Sequence, residues 1–316
     1  MRGEAFDVVF MVSNPALRGI RTVVGDYVET AAFARRYPEL RVATLRFLDP
    51  STRVVIDDER CVVAQDACGA VELRATCLFV YFPASFEPED VALVPTADDY
   101  DHRQWRVIAE YLETALPRFG ACLNEPLKAR AGCNKLVQRV ALARAGLSLP
   151  ATLATNEPTR GPSCRPAVGK YLSETGRRGV ESPARLLGPG EAVANRAPLL
   201  IQDFVPAEAE YRIYVMGDEV TAVRIATPDR VNAVDMRYRP LTPADFALVD
   251  LGDHATRLVR ATRELGLGYA VYDALPVGAA LYVTEVNTNG TWFQWPDAIR
   301  ALVADRFHRF VRGRLG

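Results

Sequence analysis

The stretch Tyr269 to Trp295, YAVYDALPVGAALYVTEVNTNGTWFQW, constrains the fold of this chain more than any other part of it. It reads as two strand-forming segments joined by a Pro-Val-Gly turn, and the segments carry Asp273, Glu285 and Asn287 among apolar neighbours. In a strand, residues two apart share a face, so Glu285 and Asn287 project together while Val286 points to the other side. A hairpin that sets Asp273 alongside them brings three oxygen donors to one place. A hard cation such as Mg²⁺ takes one or two carboxylates and completes its shell with water and substrate phosphate, which makes this cluster a candidate seat for a metal-bound nucleotide.

The rest of the chain sets the context for such a sheet. At 316 residues it exceeds the size, roughly 250 residues, at which single cores commonly split, so more than one domain is expected. A hydrophobic fraction of 49% and a charged fraction of 24% are those of an ordinary globular protein. With a formal net charge of -1 and no basic run, nothing advertises nucleic acid or an anionic membrane, leaving a small molecule, a nucleotide or a peptide as partner. No window reaches about 18 uninterrupted apolar residues. Glu4 and Asp7 fall where a signal peptide needs an apolar core, so a cytoplasmic protein is expected. The cysteines Cys61, Cys68, Cys77, Cys122, Cys133 and Cys164 form no CxxC pair and have no histidine at zinc-finger spacing, which favours free buried thiols.

Taken in order, Phe6 to Ser13 reads as a buried first strand, Asp26 to Tyr37 as a helix, and Arg41 to Phe47 as a second strand. Val54 to Ile56 and Cys61 to Val63 flank a polar turn, and Thr76 to Phe82 is a further strand. A helix is expected over His102 to Phe119, then an irregular connector over Cys122 to Arg130. Asn134 can cap a helix running to Ala145, which Gly146 closes. Strands follow at Ala151 to Thr155, Ala167 to Leu172 and Leu199 to Val205, and Ser173 to Gly179 is a polar, glycine-containing loop. Glu210 to Met216 and Glu219 to Ala226 face each other across Gly217-Asp218, a two-residue hairpin signal. Pro243 to Leu265 has apolar residues at helical spacing, and a closing helix spans Asp297 to Arg312.

Several positions upstream of the opening stretch have the chemistry a nucleotide needs. Lys135 follows the capping Asn134, and Lys170 sits in an otherwise apolar strand, a costly place for a charge unless an anion awaits it. Each lysine alone is more often a solvated side chain; together with a glycine-containing loop they can hold a triphosphate. Gln202-Asp203-Phe204-Val205 is a strand end at a proline, where backbone groups can read an adenine edge between apolar side chains. Glu208 and Glu210 lie within reach of ribose hydroxyls. Arg212, Arg224 and Arg237 are candidates for a phosphate or carboxylate, which guanidinium matches with paired hydrogen bonds.

Lys135, Lys170, Gln202 to Val205, Asp273, and Glu285 with Asn287 occur in the order seen in the ATP-grasp superfamily. The step from Asp273 to Glu285, with Asn two residues on, resembles the metal-binding segment of the branch containing ribosomal-protein glutamate ligases. The segment ACLNEPLKARAGCNKLVQRVALARAGLSLPATLATNEP, the triplet Asp235-Met236-Arg237 and the later EVNTNGTWFQW resemble microviridin-type peptide ligases, which make graspetides. The likeness runs from about Ala121 onward. It implies an α/β (α+β) protein with the ATP-grasp fold: an N-terminal pre-ATP-grasp α/β domain over residues 1–120, a central subdomain with the phosphate loop over 121–205, and a C-terminal subdomain with the Mg²⁺ site over 206–316, ATP lying between the last two.

Carried over residue by residue, the resemblance implies that Lys135 and Lys170 contact ATP phosphates, that Gln202 contacts adenine with Asp203, Phe204 and Val205 at the hinge, and that Glu210 binds ribose. It also implies that Asp273, Glu285 and Asn287 hold two Mg²⁺ ions and that the Ser173 to Val180 loop, with Gly176 and Gly179, folds over the phosphates. Arg212, Arg224 and Arg237 would then face the reacting groups. Asp203 stands where a glutamate is frequent, and the segment between Lys170 and Gln202 is short. The implied activity is ATP-dependent ligation: a carboxylate is phosphorylated, and an amine or hydroxyl displaces phosphate to give an amide or ester. Trp292, Phe293 and Trp295 either shield such an acyl phosphate or anchor the last helix. The expected partners are ATP and a carboxylate-bearing peptide or small molecule, with a second copy of the chain, as a homodimer, a further candidate. The alternatives are a ligase for a free amino acid or natural-product intermediate and a nucleotide-binding module without catalysis. Arg18, Arg21, His102 and Arg103 are positions that could meet an acidic peptide.

Overall fold

The computed structural model describes residues 3–13, 30–47, 49–58, 60–74, 77–81, 94, 98–157, 159–160, 166–172, 184–193, 197–227, 242–288, 290, 292 and 295–315. They fall into two compact units, one comprising Met1–Ala131, Gly266–Tyr269 and Thr288–Gly316, the other Gly132–Leu265 and Ala270–Asn287. Arg18, Arg21, Gly176, Gly179, Arg237 and Phe293 lie outside the described residues, as does the Asp235-Met236 pair.

The first unit runs through β1 (Val8–Ser13), a helix described over 30–36 (α1), and β2 (Val42–Phe47). β3 (Arg53–Ile56), β4 (Cys61–Gln65), β5 (Gly69–Leu73), β6 (Leu78–Tyr81), α2 (Asp99–Phe119), β7 (Ala121–Leu123) and α3 (Pro126–Gly132) follow. Strands pair in the order β2-β1-β6-β7, all parallel, and β3-β4-β5 form an antiparallel meander. The unbroken apolar run of β1 follows from this placement, because a central parallel strand is covered on both faces. Val9 and Met11 join one core with Val63, Leu73, Phe79, Leu112 and Leu116, drawn from both sheets and α2. Phe10 turns the other way, onto Phe33, which in turn meets Phe307.

Two sequence expectations change here. The segment read as an irregular connector is β7 followed by α3, with Pro126 opening the helix, where its missing N–H leaves no bond unmade. α2 begins at Asp99 rather than His102, because Asp98 caps it by accepting the Asp101 N–H.

The second unit contains α4 (Lys135–Arg144), β8 (Thr152–Thr155), β9 (Thr159–Arg160), β10 (Ala167–Tyr171), β11 (Arg185–Leu187), β12 (Ala192–Val193) and β13 (Leu199–Asp203). β14 (Ala209–Met216), β15 (Glu219–Ala226), β16 (Phe246–Val249), α5 (Asp253–Glu264), β17 (Tyr269–Val277) and β18 (Ala280–Asn287) complete it, and α6 (Asp297–Arg312) returns to the first unit. One sheet has the order β11-β10-β13-β8, and a larger one the order β16-β15-β14-β17-β18. Asn134 caps α4 as its chemistry predicts, accepting the Leu136 and Val137 N–H groups. Gly217, with φ +61°, makes the tight turn between β14 and β15.

The helix expected from Pro243 is shorter and is preceded by a strand. Phe246–Val249 is β16, drawn onto the edge of β15, and Gly252 at φ +51° stops the chain before α5 starts at Asp253. Leu248, within the span expected to be helical, is 55% exposed. The hairpin of the opening stretch also turns later than expected. Pro276 and Val277 belong to β17, and Gly278-Ala279 is the turn, Gly278 taking the positive φ that a two-residue hairpin demands.

Candidate functional site

β17 and β18 pair so that Asp273 lies directly opposite Glu285 and Val271 opposite Asn287. Residues directly opposite in an antiparallel pair share a face, so Asp273, Glu285 and Asn287 project together. A bulge after Asp273 leaves Thr284 as the extra residue on β18, and the Thr284 hydroxyl donates to the Asp273 carbonyl at 3.1 Å. Bulges of this kind re-aim neighbouring side chains. Asn287 Nδ2 donates to Asp273 Oδ2 at 3.1 Å, which closes the three donors into one cluster. The opposite face of the hairpin is apolar and packed: Val286 and Tyr272 are fully buried, and the Tyr272 hydroxyl lies 2.6 Å from Thr262 Oγ1 of α5.

Cations meet this cluster from three elements. Arg212 on β14 donates through Nη1 to both Asp273 oxygens, at 2.6 and 2.9 Å, with the two side chains 13% and 27% exposed. Lys135, at the first turn of α4, lies 3.2 Å from Glu285 Oε1 and donates to the Tyr171 carbonyl at 3.3 Å. It is thus turned inward rather than into solvent. Burial by itself would push the Glu285 carboxyl up; Lys135, Lys170 and Arg212 more than offset it and hold the carboxyl below its ordinary value. Lys170 sits on β10 opposite Leu200 of β13, so it belongs to an interior strand of the smaller sheet rather than to an edge.

Other expected residues are distributed less simply. Glu210 is two residues before Arg212 on β14 and shares its face. Arg224 is the partner of Tyr211, whereas Arg212 is the partner of Val223, so Arg224 is on the opposite face of the sheet from Arg212. Gln202 is 3% exposed, its backbone paired with Thr152 and Val168, and its Nε2 lies 3.4 Å from Thr152 Oγ1. The strand ends at Asp203. Its N–H bonds Ala151, the Phe204 N–H bonds Pro166, and Val205 is buried. Trp292 packs against Phe307 of α6 with ring centres 5.1 Å apart, the anchoring role rather than the shielding one.

A residue that sequence reasoning missed is Gln138, buried on α4 and hydrogen-bonded to both backbone groups of Val286. Its one sequence signal is a polar residue in the buried stripe that continues through Ala141 and Leu142. Among the described residues, no three or more His, Cys, Asp or Glu side chains gather as a self-sufficient metal site. Two carboxylates and an amide oxygen are nonetheless the all-oxygen, incomplete donor set that suits Mg²⁺ brought in with phosphate, so the residues fit that ion. No helix among the described residues is long and apolar enough to cross a membrane. The described cysteines are free, and burial pushes the Cys61 and Cys122 thiols up to about 12.

Comparison with known proteins adds the fold. No family model matches the chain, and no curated protein matches its sequence. Among solved structures, it is similar to the macrocyclase MdnC from Microcystis aeruginosa MRC, determined with the precursor peptide MdnA, at TM-score 0.66 and 16% identity over 96% of this chain and 99% of that one. It is similar to the ATP-grasp ligase PsnB, determined with a phosphomimetic variant of a minimal precursor, Mg and ADP, at TM-score 0.65 and 17% identity over 100% of both chains. A RimK domain ATP-grasp protein from Sphaerobacter thermophilus gives TM-score 0.53 at 15% identity, covering 98% of this chain and 99% of that one. Identities this low speak to architecture, and the architecture agrees along the whole chain: the protein has the ATP-grasp fold.

Proposed function

We propose that the protein is an ATP-dependent ligase that activates a carboxylate of a peptide as an acyl phosphate and joins it to an amine or a hydroxyl. The observation that carries this reading is the single cluster in which Asp273, Glu285 and Asn287 meet Lys135, Lys170 and Arg212. The peptide substrate is supported by the MdnC and PsnB structures, which were determined with a precursor peptide and a variant of a minimal precursor. ATP and Mg²⁺ are supported by those that hold ADP and Mg.

The chemical problem is repulsion, since a carboxylate must approach a polyphosphate. In this reading Lys135 and Lys170 bind the phosphate oxygens, and the Arg212 guanidinium supplies positive charge beside the oxygens that gain charge during transfer. Asp273, Glu285 and Asn287 hold Mg²⁺, two ions in the fullest form of the proposal, which when bound supplies positive charge to the phosphates. Phe204 and Val205 cover the adenine and Glu210 takes a ribose hydroxyl. Residues 121–205 and 206–316 supply the two sides of the nucleotide site. The attacking nitrogen or oxygen then bonds the acyl carbon, the bond from that carbon to the phosphate oxygen breaks, and inorganic phosphate leaves with the nucleophile's proton.

Incubation with ATP, Mg²⁺ and an acidic precursor peptide encoded beside the gene is expected to yield ADP and a peptide lighter by one water per bond formed. Protein that binds ATP but releases no ADP with any carboxylate substrate overturns the ligase reading.

A further inference from the structure

β18 is the outer strand of the five-stranded sheet, so one row of its backbone groups faces away from β17. Beside Glu285 and Asn287 that row is met by a side chain. Gln138, 2% exposed on α4, accepts the Val286 N–H through Oε1 at 3.0 Å and donates from Nε2 to the Val286 carbonyl at 2.7 Å. Nε2 also donates to the Gly132 carbonyl at 2.8 Å. These bonds fix the orientation of the amide, because only this placement of oxygen and nitrogen gives every donor an acceptor. Further along β18, the Val283 N–H is taken by the Ser148 carbonyl at 2.9 Å, so α4 and the segment after it stand where a sixth strand would.

We propose that Gln138 is a positioning residue for the metal-binding pair. Val286 is the residue between Glu285 and Asn287, and holding both of its polar groups fixes the backbone from which those two side chains spring. Lys135, one helical turn earlier on α4, pairs with Glu285 itself, so the same helix orients the carboxylate and pins the strand beneath it. A primary amide is the uncharged side chain that accepts and donates at once; an ionised carboxylate cannot donate, and a thioether does neither usefully. Outer-shell partners of this kind set metal affinity through the ligands they hold. The proposal rests on the reading of Asp273, Glu285 and Asn287 as Mg²⁺ ligands.

The test is ADP binding by calorimetry on the full chain, once in EDTA and once in excess Mg²⁺, for wild type, Gln138→Met and Glu285→Gln. For Gln138→Met, metal-free ADP affinity is expected to stay within about twofold of wild type, while the strengthening by Mg²⁺ falls by about 10–100-fold. Undiminished strengthening overturns the proposal; if Glu285→Gln loses it in the same experiment, the metal reading survives and only the positioning role is lost. If wild type shows no strengthening, or Glu285→Gln keeps it, the metal reading fails and takes the proposal with it. Should Gln138→Met not fold, Gln138→Glu, which keeps the length and the acceptor for the Val286 N–H, carries the same comparison. Hydrogen exchange of the wild-type Val286 amide adds a measurement without substitution. Exchange as slow as in the sheet interior supports the clamp, and exchange as fast as at an unpaired edge overturns it.

Discussion

Val8 to Val12 of β1 and most of Tyr269 to Leu275 of β17 are buried alike, yet the two strands serve different ends. Val8 to Val12 are all within 2% of complete burial, and β1 turns apolar side chains to both of its faces. In β17, Tyr269 to Leu275 are equally buried except at Asp273, which keeps partial access and a guanidinium partner. Extent of burial therefore does not separate a structural strand from a functional one. What separates them is a charge on one face, retained because other charges are built to meet it, while the apolar face alone supplies the packing.

Substitutions can break this comparison in both directions. The largest effect expected is on stability in the first unit: Phe79→Ala, from complete burial in the core beside β1, should cost about 3–5 kcal/mol in denaturant unfolding. At a temperature where the variant is folded, its affinity for Mg-ADP should match wild type; a parallel loss would mean that the two strands are not separable. Glu285→Gln should show the reverse. Turnover should fall on the order of 100-fold or more, with a melting temperature close to wild type, and a normal rate would remove Glu285 from the site. Lys170→Ala should act mainly on nucleotide binding, raising KM for ATP about tenfold with a smaller change in kcat.

The smallest effects expected are those of pH, and they concern the first unit. The Asp305 carboxyl on α6 accepts the Tyr37 hydroxyl at 2.6 Å and pairs with Arg36, contacts that hold it below its ordinary value. Burial, with Asp305 adding to it, pushes the Tyr37 phenol up to about 12. A depressed carboxyl lends stability that is complete above about pH 4 and is lost as pH falls through its folded value. A raised phenol lends stability that is complete below about pH 10 and is lost as pH rises through its folded value. Asp305→Asn should shrink both the acid and the alkaline arm of a melting-temperature profile, each by less than about 1 kcal/mol because the Arg36 pair is nearly half exposed. Profiles that superimpose on wild type would show that the contact contributes nothing.

Legibility in the sequence follows the range of the interactions. The cap at Asn134, the turn at Gly217-Asp218 and the span of α6 depend on residues a few positions apart, and they stand where the sequence reading puts them. β16 does not, because Phe246 to Val249 is a strand only by virtue of the β15 edge it joins. The face shared by Glu285 and Asn287 was readable because strict alternation is a local signal, whereas the order of Lys135, Lys170, Asp273, Glu285 and Asn287 had meaning only through its resemblance to ATP-grasp proteins. Which arginine meets the site was not readable. Arg212 and Arg224 are equivalent in composition and setting, and only the pairing register turns one to the carboxylates and the other to the opposite face. Gln138 was hidden for the same reason, since its partner Val286 is remote along the chain.

For this protein, then, the sequence by itself determined the alternating apolar pattern of Tyr269 to Asn287, the face shared by Glu285 and Asn287, and the chemistry that face can bind. The tertiary structure alone decided that Asp273 comes into register, that Arg212 and Lys135 meet the carboxylates, and that an amide from α4 holds the strand between them. Side-chain periodicity is a property of the backbone, written within a few residues. Cross-strand register and helix-to-strand contact arise only when distant segments bury their apolar faces together.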